Sequence, residues 1–199
     1  MSKNLFRIEK KIPVTSFETG FFLNKLKENN FIKTFDDRIV NSIYFENKYL
    51  SIFANSEEGI LPRKKVRLRN YPNSDNDKFY LEKKISSIEG RYKETNEISI
   101  EKYKEYTENS IIDNIYGIIR PKIIVKYTRS YYENNYLRVT FDRNIFYKEF
   151  NKNVYLNDHF NVFEIKSKNN LYFNTQFIDE FKIKRFSKYC NGIRRLNIS

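Results

Sequence analysis

The sequence predicts a mainly β protein with some helix (α+β), a closed antiparallel β-barrel of about eight strands with a few peripheral helices. Three observations predict it. Apolar and polar residues alternate with a period of two along most of the chain, the mark of strands with one buried face. Stretches with helical spacing are few. The chain has 199 residues with 18 Phe and 16 Tyr, but only 5 Gly and 4 Pro, which suits a single domain over 1–199 without a flexible linker. A two-sheet sandwich is the structural alternative.

Strands are expected near 5–12, 39–46, 64–71, 78–86, 92–100, 122–132, 136–143 and 160–167, with a short one near 145–149. A first helix is expected in "TSFETGFFLNKLKEN", after Pro13, with Thr15 or Ser16 as N-cap and Glu18 nearby. Its residues Phe17, Phe21, Phe22 and Leu26 recur at helical spacing. "SIEKYKEYTENSIIDNIYG" reads as a second helix, ended around Gly117 and Pro121, and "NLYFNTQFIDEFK" as a third, followed by a basic, aromatic segment. No repeat period is visible. The N-terminus lacks the apolar run of a signal peptide, and no segment approaches the ~20 apolar residues of a membrane helix. The single cysteine, Cys190, cannot form an internal disulfide, so a reducing cytoplasm is the expected setting.

The net charge of +12 points to a polyanionic partner: nucleic acid, an anionic membrane or a phosphorylated small molecule. Placement of the charges narrows the choice. In "RKKVRLR", Arg63, Lys65, Arg67 and Arg69 fall on one face, opposite Lys64, Val66 and Leu68. Arg63 is expected near the strand's start and Lys64 outside. In "FRIEKKI", Arg7, Glu9 and Lys11 oppose Phe6, Ile8, Lys10 and Ile12. In "FYLEKKI", Tyr80, Glu82 and Lys84 oppose Phe79, Leu81, Lys83 and Ile85. In "LRVTFD", Arg138, Thr140 and Asp142 oppose Leu137, Val139 and Phe141; in "VFEIKS", Val162, Glu164 and Lys166 oppose Phe163 and Ile165. Acid and base thus share a row: Glu9 with Lys11, Glu82 with Lys84, Arg138 with Asp142, Glu164 with Lys166.

An ordinary half-solvated sheet would carry such faces outward. If the sheet closes with them inward, the lumen is wet and electropositive, with Lys65 and Lys166 among its phosphate-binding groups and carboxylates able to hold a divalent metal. A plain nucleic-acid surface does not suit carboxylates in the same rows. A condensed phosphate needs both signs: Arg and Lys for the oxygens, Glu or Asp for Mg²⁺ or Mn²⁺. No Walker loop or dinucleotide fingerprint is present, so side chains must grip the phosphate. Glu9 suits either a metal or water contact or a pair with Lys11. Arg129, at the end of the row Ile123, Val125, Tyr127, is not oriented by pattern. His159, beside "LND", reads as a loop residue and Cys190 as packing.

In order along the chain, "FRIEKKI", "VNSIYFEN", "KVRLRNY", "YLEKKI", "KYTRSYY", "LRVTFDRNI", "FEIKS" and "KRFSKYCNGI" resemble the VTC domain. This is the polyphosphate polymerase domain of the vacuolar transporter chaperone family, within the CYTH-like triphosphate tunnel metalloenzymes. The resemblance implies a barrel whose tunnel binds triphosphate or polyphosphate with Mn²⁺ or Mg²⁺. It implies tunnel bases at Lys11, Arg67, Arg69, Lys84, Arg129 and Arg138, with Lys93 in "GRYKE" as an addition. Glu164 matches the metal-binding glutamate, and Arg185, Ser187 and Lys188 in "RFSKY" match a phosphate-contacting trio. Arg185 stands where Lys is expected, and Glu46 where Asp is usual. The implied reaction moves the ATP γ-phosphate onto a polyphosphate chain. Arg67, Arg69, Arg129 and Arg138 would clamp phosphates, with Lys188 and Ser187 orienting the acceptor. Triphosphate hydrolysis and non-catalytic polyanion binding are the alternatives. The expected partners are ATP and polyphosphate or triphosphate, not nucleic acid. No SPX-type domain or membrane segment lies in this sequence, so a separate protein would supply any membrane part.

Overall fold

The structure, a computed structural model, describes residues 9–72, 78–167 and 181–198. Its elements in chain order are β1 (Glu9–Val14), α1 (Ser16–Glu28), β2 (Ile32–Glu46), α2 (Ser51–Glu58), β3 (Arg63–Asn70), β4 (Phe79–Ser86) and β5 (Arg91–Ile98). There follow α3 (Ile100–Glu108), β6 (Ile111–Asp113), β7 (Gly117–Glu133), β8 (Leu137–Glu149), β9 (Tyr155–Asn157), β10 (Asn161–Ser167) and α4 (Lys188–Arg195). Hydrogen-bonded neighbours run in the order β1-β10-β8-β7-β2-β3-β4-β5, with β6 on β7 and β9 on β8. The registers resolved at β1–β10, β10–β8, β2–β3, β3–β4, β4–β5 and β6–β7 are all antiparallel.

The mainly antiparallel, helix-flanked class is as expected; closure is not. Among the described residues no pairing joins β1 to β5, so the strands form an open path, not a closed barrel. The reason is visible in β5, "RYKETNEI", which is exposed along almost its whole length. A strand polar on both faces has no apolar side to bury, and a charged edge discourages further pairing.

The chain forms two compact units. One comprises the described parts of Met1–Arg38, Tyr127–Ile145 and Asn157–Phe186; the other comprises those of Ile39–Lys126, Phe146–Leu156 and Ser187–Ser199. Strands β2, β7 and β8 contribute to both.

The core of the first unit gathers Ile12, Val14, Phe22, Leu26, Phe31, Val139, Phe141, Phe163 and Ile165. Phe22 stacks on Phe163 at 3.8 Å between ring centres, and Phe163 stacks on Phe141 at 4.3 Å. Helix α1 starts at a capping box. Thr15 Oγ1 accepts from the Glu18 N–H at 3.3 Å, and the Glu18 carboxylate accepts from the Thr15 N–H at 2.7 Å. Of its four expected apolar positions only Phe22 and Leu26 are buried; Phe17 and Phe21 are exposed. In the second unit, Ile43, Phe45, Ile52, Val66, Leu68, Ile123, Val125, Tyr147 and Ile193 are buried. Helix α4 lies close on this core. A Cβ on Gly192 would stand 2.9 Å from Ile123 Cδ1 and from Tyr147 Cδ1.

Other expectations shift. The second helix is shorter, because α3 ends at Asn109 and Ile111–Asp113 turns to pair with Gly117–Ile119 as a strand. The strands expected near 136–143 and 145–149 are one strand, β8, which passes Asn144 at a φ of 51°. Helices α2 and α4 were not anticipated; each has eight residues, about two turns, too short for a clear period. Residues 5–8, with Arg7, lie outside the described residues, as does nearly all of "NLYFNTQFIDEFK". Among the described residues no helix is long and apolar enough to cross a membrane.

The stacked Phe22 predicts a sharp contrast within α1. Phe22→Ala should lower stability by about 3–5 kcal/mol in urea unfolding, and Phe17→Ala should change it by less than about 0.5 kcal/mol. Equal effects would mean that the buried face of α1 is wrongly assigned.

Candidate functional site

The basic row of β3 belongs to the second unit. Its core face carries Val66 and Leu68, and alternation sends Lys65, Arg67 and Arg69 to the other face. Register places Lys65 opposite Lys84 on β4, Arg67 opposite Glu82, and Arg69 opposite both Ser42 on β2 and Tyr80 on β4. Glu82 is the hub. Its Oε2 accepts from Arg67 Nε at 2.7 Å and lies 3.5 Å from Arg69 Nη1; its Oε1 accepts from Lys93 Nζ at 2.9 Å. Arg69 Nε donates to Ser42 Oγ at 3.2 Å, and Arg67 Nη1 donates to the Tyr44 hydroxyl at 2.7 Å.

Electrostatics follow from this packing. Burial alone would raise the Glu82 carboxyl, but Arg67, Arg69 and Lys93 outweigh it and hold it at about 2. Burial would also raise the Tyr44 phenol, yet Arg67, Arg69 and Lys65 pull it down to about 8. Both groups register the same positive potential. Lys65 reaches further, donating to Ser187 Oγ at 3.1 Å and lying 5.3 Å from the Tyr189 ring centre. Ser187 is the N-cap of α4, accepting from the Cys190 N–H at 3.3 Å, and Lys188 is the first helical residue.

The first unit holds the mixed charges. Glu164 on β10 is opposite Thr140 on β8 and Lys11 on β1; Lys166 is opposite Arg138 and Glu9. Lys166 Nζ is 2.6 Å from Glu164 Oε1 and 3.7 Å from Glu9 Oε2. Lys11 Nζ is 3.3 Å from Glu9 Oε1 and donates to the Phe186 carbonyl at 3.1 Å. Burial opposes the charge on Glu164, but Lys166, Lys11 and Arg129 keep its carboxyl well below the ordinary range. Arg129 is held by Asp142 in a two-pronged pair, Nε to Oδ1 at 2.5 Å and Nη2 to Oδ2 at 2.7 Å.

Burial separates two groups among the expected site residues. The side chains of Asp142, Glu82, Arg69 and Glu164 are only 0, 4, 7 and 10 % exposed, so they are not on a half-solvated outer face. Arg138 is different: its side chain is 63 % exposed and lies 3.4 Å from Glu133, not against Asp142. Lys84, Lys93 and Arg185 are also exposed. Five ion pairs therefore differ from the single-row reading: Asp142 takes Arg129, Arg138 takes Glu133, and Glu82 takes Arg67, Arg69 and Lys93. Arg67 lies directly opposite Glu82, with Arg69 and Lys93 diagonal to it, while the same-strand pairs Glu9 with Lys11 and Glu164 with Lys166 are kept. Lys64 is not outside. It is buried, 2.7 Å from Asp113 and 2.6 Å from Asn114 Oδ1. Arg63 donates to the carbonyls of Gly59 and Ile60. His159 is exposed in a loop, and Cys190 is buried and free.

Sequence reasoning missed two polar groups here. Glu46 carboxylate oxygens accept from the N–H groups of Ile52 and Phe53 at 3.0 and 2.8 Å, capping α2, and from the Tyr189 hydroxyl. Burial raises the Glu46 carboxyl, with Tyr189 and the helix N–H groups opposing. Tyr44 lies stacked on Tyr189 at 5.1 Å. The only signal was the position of both tyrosines inside "IYFEN" and "RFSKY".

A metal can be weighed against these donors. Among the described residues no three His, Cys, Asp or Glu side chains come together. That excludes there an all-protein cage of such ligands. Glu164 and Glu9, linked by Lys166, fit a hard cation such as Mg²⁺ or Mn²⁺ that takes its remaining ligands from water and phosphate. A separate groove of about 410 Å³ in the first unit is lined by Asn29, Asn30, Ile32, Glu133, Asn134, Asn135 and Tyr136. With a carboxylate and no Lys or Arg in its lining, it does not suit phosphate.

The model of the VTC domain family matches residues 5–197. Among solved structures the chain is similar to a protein from Pyrococcus horikoshii OT3, at 16 % identity and a TM-score of 0.58, covering 96 % of this chain and 99 % of that one. It is similar to a candidate adenylyl cyclase from Hippeastrum described as having a dominant triphosphatase activity, at 14 % identity and a TM-score of 0.58, covering 96 % of each chain. It is also similar to a candidate adenylate cyclase from Vibrio parahaemolyticus, at 14 % identity and a TM-score of 0.52, covering 98 % of this chain and 88 % of that one. At these identities the likeness is one of fold. A comparison with curated proteins finds no match.

Two outcomes follow from the electrostatics. Glu82 titrates lower in the folded than in the unfolded chain, so its stabilisation is full above the unfolded value and fades as pH falls from about 5 towards 2. Glu82→Gln should therefore cost about 3 kcal/mol near neutral pH and flatten the acid limb of the stability curve. An unchanged acid limb would remove Glu82 as the hub. For Tyr44, absorbance near 295 nm should show one tyrosine ionising around pH 8, lost in Tyr44→Phe. A wild-type protein with no tyrosine titrating below the ordinary range of about 10 would contradict the basic potential described here.

Proposed function

The chain belongs to the VTC domain family, and on that premise we propose that it is a metal-dependent phosphotransferase of the polyphosphate polymerase type. It would move the ATP γ-phosphate onto a polyphosphate chain and release ADP. The observation that carries the reading is the β3 row itself: Lys65, Arg67 and Arg69 share one face, the Arg67 and Arg69 side chains are largely shielded from water, and together the three lower the neighbouring Tyr44 phenol. Phosphate oxygens gain from the same field.

Roles follow residue by residue. Arg67 and Arg69 are held by Glu82, Tyr44 and Ser42, so their guanidinium planes are set before substrate arrives. Arg129 is set likewise by Asp142. We assign Arg67 and Arg69 of the second unit, and Arg129 and Arg138 of the first, to phosphate binding. Lys11, Lys65, Lys84, Lys93, Lys166 and Arg185 neutralise the rest of the phosphate chain. Ser187 and Lys188, at the start of α4, orient the acceptor phosphate. An acceptor phosphate is already anionic, so transfer needs no general base. Glu164, with Glu9, would hold Mn²⁺ or Mg²⁺, which would supply charge neutralisation on the phosphates. Glu9 pairs with Lys11 and Lys166, the ion-pair alternative, and its metal role is part of the proposal. A cytoplasmic setting suits the single buried cysteine, Cys190.

Triphosphate hydrolysis is the second reading, favoured by the fold likeness to the Hippeastrum protein described as having triphosphatase activity. The two part on one assay. Incubation with ATP and Mn²⁺ should yield long polyphosphate on a gel; orthophosphate release alone would select hydrolysis. Neither product from folded protein would leave a binding module. Glu164→Ala should reduce turnover at least about a hundredfold, whereas a plain polyanion binder would bind as well or better. Lys188→Ala should lower turnover with little change in unfolding temperature, and a large drop in that temperature would move Lys188 to a structural role.

A further inference from the structure

Thr140 lies on β8 between Arg138 and Asp142, on the face opposite Val139 and Phe141. The register sets it directly across from Glu164 on β10. Side chains so opposed share one face, with Cβ atoms about 4.5–5.5 Å apart. The charged groups around it have partners. Arg129 holds Asp142, Lys166 holds Glu164, Lys11 and Lys166 hold Glu9, and Glu133 faces Arg138. Among the described residues Thr140 Oγ1 has none, although the atom is buried.

A buried hydroxyl without a partner is unfavourable, and valine would fill the same volume without that penalty. A polar atom kept in such a place is explained by a ligand that completes it. Its neighbour identifies the class. The group directly opposite is the Glu164 carboxylate. Carboxylate and hydroxyl oxygens are both hard donors, the pairing that a hard divalent cation selects. Threonine and serine hydroxyls serve Mg²⁺ in this way in other phosphate-transferring proteins.

We propose that Thr140 Oγ1 is an oxygen ligand, beside Glu164, of a divalent cation of the Mg²⁺ or Mn²⁺ class. The inference rests on the phosphotransferase reading for the identity of the co-substrate, but concerns metal binding alone. Both donors sit on neighbouring strands of one sheet within the first unit, so the pair is in place without movement of either strand. Lys166 Nζ lies 2.6 Å from Glu164 Oε1.

The test titrates MnCl₂ into the full chain saturated with adenylyl imidodiphosphate, following free Mn²⁺ by its paramagnetic resonance signal. Wild type, Thr140→Ser and Thr140→Val are compared, and nucleotide affinity is measured separately without metal. Thr140→Val should weaken Mn²⁺ binding about tenfold with metal-free nucleotide affinity unchanged. Thr140→Ser should stay within about twofold of wild type, because the hydroxyl is retained. Equal Mn²⁺ affinity in Thr140→Val and wild type overturns the proposal and leaves the phosphotransferase reading standing. So does a matching loss of metal-free nucleotide affinity, which would make the hydroxyl a phosphate donor. A wild type that takes up neither Mn²⁺ nor nucleotide overturns both.

Discussion

Glu82 is the carboxylate on which the basic wall of β3 depends. Placing Arg67 and Arg69 side by side on one strand face, with little access to water, is unfavourable unless a counter-charge meets them. Glu82 stands opposite Arg67 in the register and reaches Arg69 as well. It also takes Lys93 from β5. One buried carboxylate thus orders three cations from two strands, and it stays ionised because those cations surround it. Tyr44 and Ser42 complete the arrangement from β2, each accepting from one guanidinium. The result is a set of forked donors with fixed planes and a strong positive field, the state in which phosphate oxygens are bound with least reorganisation.

The first unit solves a different problem with the same groups. Acid and base alternate across β1, β10 and β8, so each charge finds a partner within its own sheet. Arg129 and Asp142 form a rigid pair with both oxygens engaged. Glu164 and Glu9 share Lys166, so a lysine already occupies the place of a cation between them. Thr140 lies directly across from Glu164 on the same face.

The C-terminal helix is held by interactions that look structural and bear on the site. Glu46 caps α2 and accepts from Tyr189 of α4, which ties the two helices through one buried carboxylate. Arg194 and Glu57 add an ion pair between the same helices at 3.2 Å. A Cβ at Gly192 would stand 2.9 Å from Ile123 Cδ1 and Tyr147 Cδ1, so a side chain there would force those groups to shift. This docking fixes Ser187 at the helix start, where Lys65 reaches it. Residues assigned to the acceptor phosphate are thereby positioned by a helix whose own anchor, Tyr189, also stacks on Tyr44.

Alternation alone determined which residues share a face. Lys65, Arg67 and Arg69 on one side of β3, and Glu164 with Lys166 on one side of β10, were legible because a strand's period is a local property. The capping box of Thr15 and Glu18 was legible for the same reason. Only the tertiary structure decided which charges meet. Asp142 chose Arg129 over Arg138, Glu82 chose Arg67, Arg69 and Lys93, and Lys64 turned inward to Asp113. It also decided that β5 ends the strand path rather than closing it, and that two short stretches become α2 and α4. These outcomes depend on cross-strand register and on burial against distant residues. A single strand carries its own two faces in its sequence, but it does not carry its neighbour.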